Sequence, residues 1–172
     1  MSTVTFEESG MQFGPFENKD VFAAEKFSQK KHLVSKSVEF VLFRGKKAIF
    51  LEAKSSIPQS SDDINNNFLP SIAEKLSDTL HLVASDYMKI LSERDSLLDP
   101  LKGRNWEQLS INYYVVLKGM PKDQLPALHD MFNAYPLLNK LKKIWSPNKS
   151  GWVKVINDVK ARDMGLIASG ND

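Results

Sequence analysis

Hydrophobic and polar positions follow two rhythms along this chain, and each change of rhythm marks an element. Residues 37–43 (SVEFVLF) and 48–55 (AIFLEAKS) are rich in β-branched and aromatic side chains, as half-buried strands are. Between them lies Arg44-Gly45-Lys46-Lys47, where Gly45 at the first of two loop positions suits a type II′ hairpin turn. From Phe68 the spacing changes to threes and fours. Phe68, Ile72, Leu76, Leu80, Val83, Tyr87 and Ile90 form the stripe of a long amphipathic helix. Pro70 fits only a first turn, which places the helix start near Asn67. Residues 111–117 (INYYVVL) are apolar almost throughout, the mark of a strand buried on both faces. A helical stretch over residues 123–144 is expected to break or kink at Pro136, and residues 152–156 (WVKVI) read as a last strand. Residues 21–27 (VFAAEKF) fit either a strand or a helix and are taken as a strand. Residues 1–16 and 161–172 are expected to be loosely ordered. The order strand, hairpin, helix, strand, helix, strand predicts one α/β (α+β) domain, a mixed sheet flanked by helices.

Composition narrows the chemistry. At 172 residues and 42% hydrophobic, the chain can bury a core of its own. It has no cysteine, which excludes disulfide scaffolds, thiolate zinc sites and cysteine nucleophiles. No apolar run is long enough to span a membrane and the opening residues are polar, so no signal or anchor is expected and a cytoplasmic location is. The net charge of +2 is unremarkable, but the basic residues gather late in the chain. Lys140, Lys142, Lys143, Lys149 and Lys154, with Lys160 and Arg162 behind them, face only Asp158. Such a patch can follow a phosphate backbone, or be an ordinary solvated face.

The hairpin holds the chemistry. With Gly45 and Lys46 as the turn, Phe43 faces Ala48, Val41 faces Phe50, and Glu39 faces Glu52. Directly opposed β-carbons lie roughly 4.5–5.5 Å apart, and like charges so placed destabilise a sheet. Lys54, two residues beyond Glu52, projects from the same face. A divalent cation between the carboxylates would remove the conflict, and oxygen donors without His or Cys suit Mg²⁺ or Mn²⁺. The plainer alternative is a solvent-side pair neutralised by Lys54, Lys36 or Lys26. His32, His81 and His129 have no companion at metal or triad spacing, and Gly10, Gly14 and Gly45 form no phosphate-cradling loop.

Glu39 followed by Glu52-Ala53-Lys54 resembles the active-site signature of the PD-(D/E)xK nuclease superfamily. There an acidic residue early in one strand is followed by Asp/Glu-x-Lys on the next. The resemblance implies a restriction-endonuclease-like mixed β-sheet flanked by helices over residues 21–118. It implies metal-dependent hydrolysis of phosphodiester bonds, with DNA the expected substrate. It implies Glu39, Glu52 and Lys54 as catalytic residues, with Glu39 and Glu52 as metal ligands. This chain departs from the pattern in having Glu39 where Asp is usual, preceded by Val38 instead of Pro. Many members carry a further acidic residue on the first helix, for which Glu25 is the candidate. Two other functions compete. One is a catalytically inactive nuclease-fold module that binds nucleic acid or a partner protein. The other is an interaction subunit, a homodimer or partner of another chain, whose apolar helix stripe over residues 68–90 forms the seam.

Overall fold

The computed structural model describes residues 2–30, 32–33, 36–88, 100, 102–146 and 152–168. Five strands form a mixed sheet in the order β3 (Val21–Phe22), β4 (Phe40–Arg44), β5 (Lys47–Lys54), β6 (Ser110–Leu117), β7 (Val153–Asn157). β3, β4 and β5 pair antiparallel; β5–β6 and β6–β7 pair parallel. A parallel neighbour needs a crossover. Helix α3 (Leu69–Tyr87) lies between β5 and β6 in the chain, and α4 (Leu125–Ala134) and α5 (Pro136–Trp145) lie between β6 and β7.

The β4–β5 hairpin turns at Gly45 and Lys46, with Arg44 opposite Lys47 as expected. Gly45 has φ +58 and Lys46 is not left-handed, the pattern of a type II′ turn. The helical run begins well before Asn67. Ser60 caps a short α2 (Ser61–Asp63) by accepting from the Asp63 N–H, and a π-turn at Ile64–Phe68 leads straight into α3. The break at Pro136 is as expected. Tyr135 is extended (φ −62, ψ 128) because the proline ring excludes helical geometry from the residue before it.

Three expectations are corrected. Residues 21–27 are not one strand: β3 lasts two residues and α1 (Ala24–Lys30) follows, over a segment whose Ala, Glu and Lys favour a helix. The opening residues are not loose. β1 (Thr3–Glu8) and β2 (Met11–Glu17) form a second, two-stranded sheet whose Phe6, Met11, Phe13 and Phe16 pack against Phe40, Leu42 and Leu51. Nor is the end of the chain loose up to residue 168. α6 (Asp158–Asp163) buries Ala161, Leu166 and Ile167 are buried, and Gly14 N–H donates to Leu166 O at 2.9 Å.

The mixed sheet is thus covered on both faces. α3, α4 and α5 cover the face bearing Val41, Phe50, Tyr113 and Val115, and the β1–β2 hairpin with α6 covers the face bearing Phe40, Leu51 and Tyr114. The α3 stripe of Ile72, Leu76, Leu80 and Val83 is consumed by this core, which removes it as a dimer seam. Tyr87, at its end, is 66% exposed, and Ile90 lies outside the described residues. Phe13 is fully buried, edge-on to Phe40 with centroids 5.6 Å apart. Phe13→Ala should therefore lower the unfolding free energy by about 3–5 kcal/mol in urea titration. A loss under about 1 kcal/mol would show that the hairpin is no part of the cooperative core.

Candidate active site

The regular β4–β5 pairing ends at Phe40 opposite Leu51. Beyond it, the Glu39 N–H bonds to Leu51 O at 3.0 Å, one residue short of continuing the register to Glu52. Val38 and Val41 both belong to the α3-facing core, a spacing that strict alternation forbids. One residue is therefore inserted at Glu39, in the manner of a β-bulge, and Glu39 does not stand squarely opposite Glu52 as the hairpin arithmetic expected. The bulge turns its side chain to where groups from both sides of the sheet reach it.

Those groups come from four elements. Glu8 arrives at the end of β1, held by the turn behind it, where Ser9 Oγ donates to Ala53 O at 3.0 Å. Glu25 sits in the first turn of α1, whose backbone is tied to the site by Glu25 N–H to Glu39 O at 3.4 Å. Oxygens of Glu8, Glu25 and Glu39 all lie within 4.8 Å of one another. Glu52 and Lys54 come from the end of β5, with Lys54 Nζ 2.8 Å from Glu52 Oε1. Lys75, from α3, places its Nζ 2.8 Å from the same Glu52 oxygen and 3.8 Å from Glu39 Oε1.

The electrostatics follow from burial. Glu52 is fully buried and Glu39 is 7% exposed, and among the described residues Oε2 of each has no hydrogen-bond partner. The Glu39 carboxyl is pushed up to about 9, first by burial, then by the Glu52 charge and by hydrogen bonding with Glu25, with Lys75 opposing. Glu8 is also raised, by burial and the Glu25 charge. Burial pulls Lys75 down, but the charge of Glu52 and its hydrogen bond, with Glu39 and Glu25, outweigh it and hold the ammonium above its ordinary value. Among the described residues, four carboxyl groups meet Lys54 and Lys75 here, with Lys26 acting on Glu8, so the site keeps an excess of acid. Orphaned buried carboxylate oxygens beside raised carboxyls are what a hard divalent cation would satisfy, so the donor set fits Mg²⁺ or Mn²⁺.

The structure therefore gathers Glu39, Glu52, Lys54 and Glu25, and adds two residues the sequence reading missed. Glu8 lay in a segment expected to be loose. Lys75 follows Glu74 on a helix and looks like part of a solvated face, and Lys36, expected as a neutralising partner, pairs with Glu74 instead at 2.6 Å. Lys26 stands over the Phe6 ring, 5.2 Å from its centroid.

The late basic residues do not form one surface. Lys140, Lys142 and Lys143 lie on α5, on the α3 side of the sheet. Lys154 pairs with Tyr114 in β6–β7 and stacks over its ring at 5.5 Å, on the opposite side. Lys149 lies outside the described residues. Among the described residues no helix is long and apolar enough to cross a membrane. Comparison of the chain with protein-family models, with curated proteins and with solved structures finds no match in any of the three.

Proposed function

We propose that this chain is a metal-dependent nuclease of the restriction-endonuclease-like kind, hydrolysing phosphodiester bonds, with DNA the expected substrate. One observation carries the reading. Glu8, Glu25 and Glu39 bring carboxylate oxygens within 4.8 Å of one another, and the buried Glu39 and Glu52, bridged by Lys75, each keep an oxygen that no N–H or O–H donor among the described residues reaches, with Lys54 at the edge of the cluster. The mixed sheet order, antiparallel through β4–β5 and then parallel to β6 after a helical crossover, accords with the PD-(D/E)xK resemblance.

Glu39 and Glu52, supported by Glu8 and Glu25, would hold Mg²⁺ or Mn²⁺. When bound, such an ion supplies Lewis acidity and neutralises charge at a phosphodiester. The residues supply the rest. Lys54 is 31% exposed on its side chain, so its ammonium can donate to a phosphate oxygen or orient an attacking water. Burial of Glu52 and Glu39 keeps bulk water from competing for the same oxygens. The test is hydrolysis of plasmid and single-stranded substrates with Mg²⁺ or Mn²⁺, stopped by chelation. Homogeneous protein that cuts neither, at any divalent concentration, would remove the reading.

A second reading is favoured by one observation: both Lys54 and Lys75 already neutralise Glu52. That suits an inactive module that binds nucleic acid. In either case the α5 lysines are the phosphate contacts to test. Lys142→Ala with Lys143→Ala should weaken binding and shallow the salt dependence by roughly 0.9 of a logarithmic unit per lost duplex contact. An unchanged slope would make α5 an ordinary solvated face.

A further inference from the structure

We propose that Lys75 is the positioning lysine of this site: it clamps one oxygen of Glu52 and leans on Glu39, leaving their other oxygens for a divalent cation and Lys54 for the substrate. The metal and substrate parts of this rest on the nuclease reading; the clamp does not.

The division of labour follows from geometry. Both lysines reach Glu52 Oε1 at 2.8 Å, but their settings differ. Lys54 ends a strand and is 31% exposed, whereas Lys75 is 15% exposed and rises from a helix fixed on the sheet. Thr79, fully buried one turn on, accepts from the Val38 N–H at 3.0 Å and donates to Lys75 O at 2.7 Å. The backbone of Lys75 is therefore tied to the residue that precedes Glu39. Lys36 ties the same stretch again, through its N–H to Asp78 at 2.9 Å. Tyr113 on β6 donates its hydroxyl to Ile72 O at 2.9 Å, which locks α3 to the sheet from below the site.

Lys75 is thus held in place by others, and it holds Glu52 in turn. It approaches Glu39 and Glu52 from their Oε1 atoms, at 3.8 and 2.8 Å, and the unpartnered atoms are Oε2 of both. A carboxylate fixed through one oxygen presents the other without rotating, as partners behind a metal ligand do elsewhere. Lys54 is then redundant as a counter-charge and can leave Glu52 when a phosphate arrives.

The test uses the full chain. Urea unfolding without metal compares Lys75→Met, Glu52→Gln and the double variant, and repeats the cycle with Lys54→Met. The Lys75–Glu52 coupling should multiply the folding constant by at least about tenfold, and the Lys54–Glu52 coupling by less than about threefold. Equal or reversed couplings overturn the clamp whether or not the protein cuts anything. Calorimetric titration with Mn²⁺ supplies the second readout. Lys75→Met should raise the half-saturating concentration by about tenfold, and Lys75→Arg should restore it to within about threefold of wild type. Unchanged Mn²⁺ binding in Lys75→Met overturns the positioning role. If Lys75→Met does not fold, Lys75→Arg decides: it must fold and bind Mn²⁺ as wild type does, or the proposal is wrong. If the wild type binds no Mn²⁺, the nuclease reading falls and the coupling energies alone decide the clamp.

Discussion

Lys54→Ala should abolish metal-dependent phosphodiester hydrolysis, lowering turnover by at least about a hundredfold, while leaving the fold intact. The two halves of that expectation have separate causes. Lys54 ends β5, its side chain is 31% exposed, and Glu52 keeps Lys75 as counter-ion after the truncation. The stability change should therefore stay within about 1 kcal/mol, the range of a partly exposed ion pair. The loss of rate arises because, of the two lysines on Glu52, only Lys54 is open enough to reach a substrate; Lys75 is 15% exposed. Glu52→Gln should be at least as damaging to activity, since it removes a charged ligand. It is the less clean test, because Lys75 would then be half-buried without its main partner, a change that can cost about 3–5 kcal/mol at a fully buried pair. Ca²⁺ should bind but support cleavage poorly, because it tolerates looser geometry. A panel of wild type, Lys54→Ala and Glu52→Gln on plasmid and single-stranded substrates reads all of this. Equal cutting by all three would mean a contaminant and end the catalytic claim. Binding of nucleic acid by wild type with no cutting would hand the site to the inactive-module reading.

Glu39→Gln should stabilise the metal-free protein at pH 8 while destroying its response to divalent ions. Glu39 has an ordinary value of 4.5 and a folded value pushed up to about 9. Between those values the folded chain keeps a proton that the unfolded chain has released. Raising pH through that window therefore lowers stability, by at most about 1.4 kcal/mol per pH unit for one proton. Below the window both states are protonated and the group contributes nothing to the pH dependence. A glutamine carries its hydrogens permanently and can donate to Glu8 or Glu25 without titrating. The variant should gain roughly 1–3 kcal/mol at pH 8, about 2–4 °C in melting temperature per kcal/mol for a chain of this size. Its stability should also fall less steeply between pH 5 and pH 8. Mn²⁺ should raise the melting temperature of wild type and not of the variant, since a ligand at a hundred times its dissociation constant adds about 2.7 kcal/mol. A wild-type protein whose stability is flat from pH 5 to pH 8 would show that Glu39 is ionised in the folded state. Lys75 would then compensate the Glu39 charge, and Glu39→Gln would bring no gain in stability.

The reach of the sequence is clearest along the hairpin. Gly45-Lys46 determined the turn and the register from Arg44 to Phe40, because a type II′ turn needs glycine at its first position and each partner then follows by counting. The apolar run of β6, the break before α5 at Pro136 and the final strand were equally legible, since proline chemistry and uninterrupted apolar runs act locally. Glu52, Lys54 and Glu39 were legible as a motif, and Glu25 as a companion. The arrangement of the site was decided only by tertiary structure. The bulge at Glu39 arises from the need to place Val38 against α3 and Phe40 against the β1–β2 hairpin, and neither partner is near in sequence. The hairpin itself was obscured because Gly14 and Pro15 put Phe13 and Phe16 three residues apart, which breaks the period of two. Glu8 was hidden along with it. Lys75 was hidden for a different reason. On a helix it is one charged residue beside another, and its meaning comes wholly from Glu52, 23 residues earlier, across the packing of α3 on the sheet. A motif on one hairpin can place carboxylates and a lysine together, but only packing decides their company: α3 brings the counter-charge of Lys75 from one face of the sheet, and β1 brings a further carboxylate, Glu8, from the other.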